Sequence, residues 1–180
     1  MNNQAFIDGQ NLYLGTKSSV SPWKIDLTRF RVYLKERYNV QTAYYFIGYY
    51  LDEQGDLYEA IQEAGFILVF RKHNDKMESI KKGNVDTDIV FAIMRKIAER
   101  ERFDKVLLVS GDGDYYRMVD YLIKKDRFAK LIAPDKLKMS SLYKNLDRKY
   151  YADLGADGVR RKIELRKGMR NASLKKRDTA

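Results

Sequence analysis

The run Val106-Leu-Leu-Val-Ser-Gly-Asp-Gly-Asp114 is an apolar, strand-like segment that ends in two aspartates set among glycines. A second apolar segment, Gln4-Ala-Phe-Ile-Asp8, also ends in an aspartate, with Gly9-Gln10-Asn11 after it. A third acidic pair, Asp86 and Asp88, follows Lys82-Gly-Asn-Val. Ligands of an open α/β sheet bind beyond the carboxyl ends of its strands. Acids at two strand ends and one helix start can therefore converge on one point. Two carboxylates about 5 Å apart repel by roughly 3 kcal/mol at an effective dielectric of about 20. A set of four needs protonation or a cation to relieve it. With no cationic residue neighbouring the acids in the motifs, the ion expected is hard and oxygen-seeking, Mg2+ or Mn2+.

Each acid also has a plainer reading. Asp8 can simply cap the next turn, since Asp-Gly is a common turn signal. Asn11 can turn its amide toward Asp8 or a phosphate, or serve as an ordinary turn residue. A capping role accounts for one of Asp112 and Asp114 but not both, and at a helix start the dipole helps keep Asp114 ionised. Gly111 and Gly113 are expected to free the backbone for a tight turn. Ser110 can donate to a carboxylate or bind phosphate. Asp86 falls in the first turn of its helix if Asn84 is the cap. Asp88 lies about 200° further round and is not expected on the same ion. Asp86 is therefore the preferred ligand, with Asp88 and Lys82 in supporting places.

The elements that must position these groups alternate almost to the end of the chain. Strands are expected at 5–8, 40–47, 66–70, 105–109 and 128–133. Asp26 can cap a helix on which Leu27, Phe30, Leu34 and Tyr38 repeat at helical spacing. A short helix over 56–64 would turn Leu57, Ile61 and Ala64 inward and stop at Gly65. Another, from Asn84 to about Glu99, carries Ile89, Ile93 and Ile97. Tyr115, Val119 and Leu122 mark a further helical stripe. Residues 72–83 read as a loop, and Ser140–Leu146 and Gly158–Leu165 as short helices around Tyr150-Tyr-Ala-Asp-Leu154. Strand–helix alternation of this kind argues for a mainly parallel sheet flanked by helices.

Composition narrows the chemistry. With 180 residues, 44% of them hydrophobic, the chain suits a single globular domain over about 1–165. Residues 166–180 form a basic tail with little to bury, expected to be flexible. No cysteine is present, which excludes disulfides and thiolate sites, and the single histidine, His73, excludes a histidine-rich metal site. No apolar run reaches spanning length and no signal peptide opens the chain, so a cytoplasmic protein is the simplest expectation. A formal charge of +10 around an acidic centre fits a polyanion gripped by its backbone. The densest positive charge lies at Arg160, Arg161, Lys162, Arg166, Lys167 and Arg170, which are the expected nucleic-acid contacts. Tyr44, Tyr45, Tyr49 and Tyr50 are read as exposed, packing against a partner copy or flanking the sheet.

With these motifs placed, the chain resembles the NYN domain family, a branch of the PIN-like nucleases. Phe6-Ile-Asp-Gly-Gln-Asn-Leu12, Lys82-Gly-Asn-Val-Asp-Thr-Asp-Ile89 and Leu108-Val-Ser-Gly-Asp-Gly-Asp-Tyr115 carry the resemblance, in the family's order. It implies a three-layer α/β/α sandwich and a Mg2+- or Mn2+-dependent ribonuclease. By position, Asp8, Asp86, Asp112 and Asp114 become the metal-binding and catalytic carboxylates, supported by Asn11 and Ser110. Where many relatives place a further acid on the helix, this chain carries Ala92. The rival reading is a catalytically inactive RNA-binding module of the same fold. A haloacid dehalogenase-like phosphatase needs an aspartate where Gln10 stands, and a dinucleotide-binding fold needs a glycine spacing that Gly9-Gln-Asn lacks.

Overall fold

Strand residues of alternating parity are buried on opposite sides of one sheet in the computed structural model, which describes residues 1–71 and 85–166. Six strands form it: β1 (Asn3–Asp8), β2 (Val40–Ile47), β3 (Ile67–Phe70), β4 (Val106–Val109), β5 (Phe128–Ala133) and β6 (Tyr151–Asp153). Their order is β3-β2-β1-β4-β5-β6, and all five pairings are parallel. Six helices connect or follow them: α1 (Gly9–Lys17), α2 (Leu27–Tyr38), α3 (Gly55–Glu63), α4 (Asp86–Ala98), α5 (Tyr116–Lys124) and α6 (Asp157–Ile163). Ala5, Ile7, Leu107 and Val109 pack with Phe30, Leu34, Ile61 and Ile163 from α2, α3 and α6. Phe6, Val106 and Leu108 face the other way, onto Ile89 and Ile93 of α4 and Val119 and Leu122 of α5. Helices on both faces explain why the central strands are continuously apolar rather than alternating. The result is the expected three-layer α/β/α sandwich.

From β1 the chain winds outward to β2 and β3, then returns through α4 to lay β4 on the other side of β1. The strand order therefore reverses between β1 and β4, leaving a crevice at their carboxyl ends. Asp8 closes β1 there, and the Ser110–Asp114 turn leaves β4 there.

Several local expectations are corrected. Gly9, Gln10 and Asn11 are not a turn but the first residues of α1, because the Asp8 carboxylate accepts the Asn11 N–H at 2.9 Å and caps the helix. Leu57 is exposed rather than inward, and the neighbouring Tyr58 fills the core position with Ile61. Helix α4 begins at Asp86 with Val85 as its N-cap residue; Asn84 lies outside the described residues, as do 72–83 and 167–180. The segment expected as a helix over 140–146 is a 3-10 turn, Ser141–Asn145. Of the four tyrosines read as exposed, only Tyr50 is; Tyr45 is buried, Tyr49 is half-buried, and Tyr44 is half-buried and stacked on Phe6. Among the described residues, no helix is long and apolar enough to cross a membrane.

Candidate metal centre

The crevice between β1 and β4 is a cleft of about 280 Å³ lined by Asp8, Gln10, Asn11, Leu14, Val85, Asp86 and Asp112. Each acid reaches it for a local reason. Asp8 has the parity of Phe6, so it faces the α4 and α5 layer, where it is almost fully buried. Asp86 is the first residue of α4, where the helix dipole favours a carboxylate. Asp112 precedes the 3-10 turn Gly113–Tyr115 and accepts the Asp114 N–H at 3.1 Å.

Asp86, Asp112 and Asp114 each offer an oxygen lying within 4.8 Å of the other two. Burial falls across the set, from buried Asp86 through half-buried Asp112 to exposed Asp114. Octahedral Mg2+ at about 2.1 Å sets ligand oxygens about 3 Å apart when adjacent and about 4 Å apart when opposite. The three carboxylates therefore fit around one such ion with small side-chain shifts. No lysine or arginine among the described residues forms an ion pair with Asp8, Asp112 or Asp114; Asp88 is the acid that faces a cation, with Arg71 Nε 3.9 Å from its Oδ2. An all-oxygen, net-negative donor set suits a hard divalent cation and not a soft one.

Tyr115 ties Asp8 to this triad. Its hydroxyl, fully buried, lies 2.5 Å from Asp86 Oδ1 and 3.1 Å from Asp8 Oδ2. One O–H proton cannot serve two ionised carboxylates at once. Burial, with a smaller push from the Asp86 and Asp112 charges, raises the Asp8 carboxyl to about 6. A protonated Asp8 can itself donate to the tyrosine oxygen, and both contacts are then satisfied. The same burial, beside the Asp8 and Asp86 charges, pushes the Tyr115 hydroxyl up, so it remains a donor throughout the physiological range. The sequence marks Tyr115 only as one of three inward residues on a helical stripe. A hydroxyl on that stripe, just after Gly-Asp-Gly-Asp, is the signal for its second role.

The supporting residues shape the turns. Asn11 Oδ1 accepts the Gly111 N–H at 2.9 Å, latching the start of α1 to the turn after β4. Ser110 is fully buried, and its Oγ accepts the Asp112 N–H at 3.1 Å, which places it inside the turn and away from the cleft. Gly113 is needed for room rather than for backbone freedom: an added Cβ would lie 2.5 Å from Ser140 Oγ. Tyr143 buttresses the turn by donating to the Asp112 carbonyl at 2.7 Å. A smaller hollow of about 110 Å³ adjoins the cleft, sharing Asn11 and Leu14 and reaching Lys138. Lys82 lies outside the described residues.

The basic residues expected to contact nucleic acid divide in two. Arg160 is committed internally: it pairs with the Glu164 carboxylate, donates to the Ser21 carbonyl and lies over the Trp23 ring. Arg161, Lys162 and Arg166 are exposed beside α2, while Lys167 and Arg170 lie outside the described residues.

The NYN domain family matches residues 4–154, which span the whole sheet and every acid of the cleft. The chain belongs to the NYN domain family. Its relatives include the low amplitude and bright protein LabA of Synechococcus elongatus, 25% identical over 158 residues that cover 83% of this chain and 81% of that protein. A crystal structure of a protein of unknown function from Vibrio parahaemolyticus is similar with a TM-score of 0.72. It covers 91% of this chain and 96% of its own at 17% identity, a likeness of fold. The NYN domain has a PIN-like nuclease fold, and the Asp86, Asp112 and Asp114 cluster sits at its switch point.

Proposed function

We propose that this NYN domain is a Mg2+- or Mn2+-dependent ribonuclease that hydrolyses RNA phosphodiester bonds in the β1–β4 cleft. The observation that carries the reading is the convergence of Asp86, Asp112 and Asp114 within 4.8 Å at a topological switch point. Asp8 joins them as the fourth carboxylate from the floor of the cleft. RNA as substrate is supported by the family's nuclease fold and by a chain charge of +10 around this acidic centre.

A divalent cation held here would supply Lewis-acid chemistry, lowering the pKa of a water and offsetting charge on the phosphoryl oxygens. The chain's own residues set the geometry. Tyr115 holds Asp86 by its hydrogen bond, and Asp112 is held by the Asp114 N–H and by its own backbone bond to Ser110. Asn11 keeps the two sides of the cleft at fixed separation. Among the described residues, no hydroxyl, thiol or imidazole lines the cleft, which fits water rather than a side chain as the attacking group. The adjoining hollow extends the cleft past Asn11 and Leu14 toward Lys138.

The test is cleavage of a labelled single-stranded RNA in Mn2+. Wild type is expected to cut it, EDTA to stop it, and Asp112→Asn to lower the rate at least about 100-fold, on the scale of losing a main electrostatic contributor. Cutting that persists in EDTA or in the variant would remove the cleft from the reaction. RNA binding without cutting in any divalent ion would favour the inactive binding module.

A further inference from the structure

A second site lies on the opposite layer, between α2 and α6, as a groove of about 540 Å³. Arg29 and Arg37 line it from α2, and Arg161, Lys162 and Arg166 line it from α6 and the residues just beyond. Positions 29, 33 and 37 recur every four residues, so Arg29, Tyr33 and Arg37 share one face of α2. None of these residues lines the acidic cleft. The neutralisation of this charge is slight. Arg29 lies 3.8 Å from Asp26, and Glu36 is the acid in the lining. Among the described residues, Arg37, Arg161, Lys162 and Arg166 form no ion pair. Neighbouring Arg160 differs, being held by Glu164. Five cations against one lining acid leave a concave surface with a strong positive field. Such a surface attracts a polyanion and, being a groove rather than a flat face, suits a strand more than a membrane.

We infer that the α2–α6 groove binds the phosphate backbone of single-stranded RNA at a distance from the acidic cleft, with Arg29, Arg37, Arg161, Lys162 and Arg166 as the gripping residues. This deepens the proposed ribonuclease reading, on which the choice of RNA rests. Its logic is electrostatic: the acidic cleft repels the backbone it is to receive, and a separate cationic groove retains the strand. Tyr33, half-buried, lines the groove between Arg29 and Arg37 on the same face of α2.

The experiment uses the full chain in EDTA, which suppresses cutting, and measures anisotropy of a fluorescein-labelled 30-nucleotide RNA between 50 and 200 mM KCl, these being assay settings of about the usual range for salt-linked binding. The variant is the double substitution Arg37→Gln and Lys162→Gln. Each single-strand phosphate contact contributes about 0.7 to the slope of log affinity against log salt, so two lost contacts lower the slope by about 1.4 and the affinity about twenty-fold near 0.1 M. Unchanged affinity and slope would overturn the proposal. Binding of phosphatidylserine vesicles by wild type, lost in the variant while RNA binding is untouched, would also overturn it and assign the groove to a membrane. The Mn2+-induced rise in Tm is expected to be the same in wild type and variant, which separates the two sites. A groove that fails this test while Asp112→Asn still abolishes cutting leaves the nuclease reading standing; RNA gripped by the groove with no cutting by wild type leaves the groove standing alone.

Discussion

Asp8 concentrates the physical tension of the site in one side chain. Its carboxyl is held near 6 against an ordinary 3.8, so between those values the folded protein carries a proton that the unfolded chain has released. Stability of the metal-free protein therefore falls as pH rises from about 4 to about 6, and the loss is complete above that window. Two pKa units correspond to about 3 kcal/mol. Asp8→Asn is expected to remove this dependence and to make the metal-free protein more stable at pH 7.5 by about 1–2 kcal/mol, since the amide oxygen can still cap α1. Urea melts of both proteins at pH 4.5 and 7.5 check it, and parallel pH dependences would refute it. The acids were legible in the sequence because each ends an apolar run or opens a helix. The link through Tyr115 was not, because a buried hydroxyl and a core ring have the same helical spacing. Asp88 shows the converse: its position round the helix already separates it from Asp86, and the structure turns it to Arg71.

At the scale of elements, β1 to β5 and helices α2, α4 and α5 follow from apolar runs and helical stripes; β6 was expected only as a segment between two short helices, and nothing periodic announces α1. Its buried residues are Gly9, Leu12 and Thr16, while Tyr13 and Leu14 are exposed, so no apolar stripe marks it. The helix forms because Asp8 caps it and because Gly9 lets it approach β2. A Cβ at Gly9 would lie 2.5 Å from Tyr45 Cε1 and 2.7 Å from the Phe46 carbonyl oxygen, and the backbone oxygen cannot move aside. Gly9→Ala is expected to destabilise the protein by about 1–3 kcal/mol through overpacking. Because α1 carries Asn11, the same change should also weaken Mn2+ binding. Chemical denaturation with and without Mn2+ measures both effects; a variant as stable as wild type would show that the contact is not tight. The segment 140–146, expected as a helix, forms a 3-10 turn, and the segment's first residue serves the turn after β4: Ser140 donates its N–H to the Gly111 carbonyl. That role is tertiary, and no local pattern announces it.

For the whole molecule, the sheet order sets where opposite charges go. Reversal between β1 and β4 collects the acids at one crevice, while α2 and α6 on one outer layer collect unpaired cations. A carboxylate pair 4.8 Å apart costs roughly 3.5 kcal/mol at an effective dielectric of about 20, so this arrangement persists through the rest of the fold and not on its own account. The central claim is that the crevice is a divalent-metal centre. It is tested most directly by calorimetric titration of Mn2+ into metal-free wild type and Asp112→Asn at pH 7.5. Wild type is expected to bind Mn2+, and Asp112→Asn to lose that binding while remaining folded. No Mn2+ binding by wild type, or identical isotherms for the two proteins, would contradict the account.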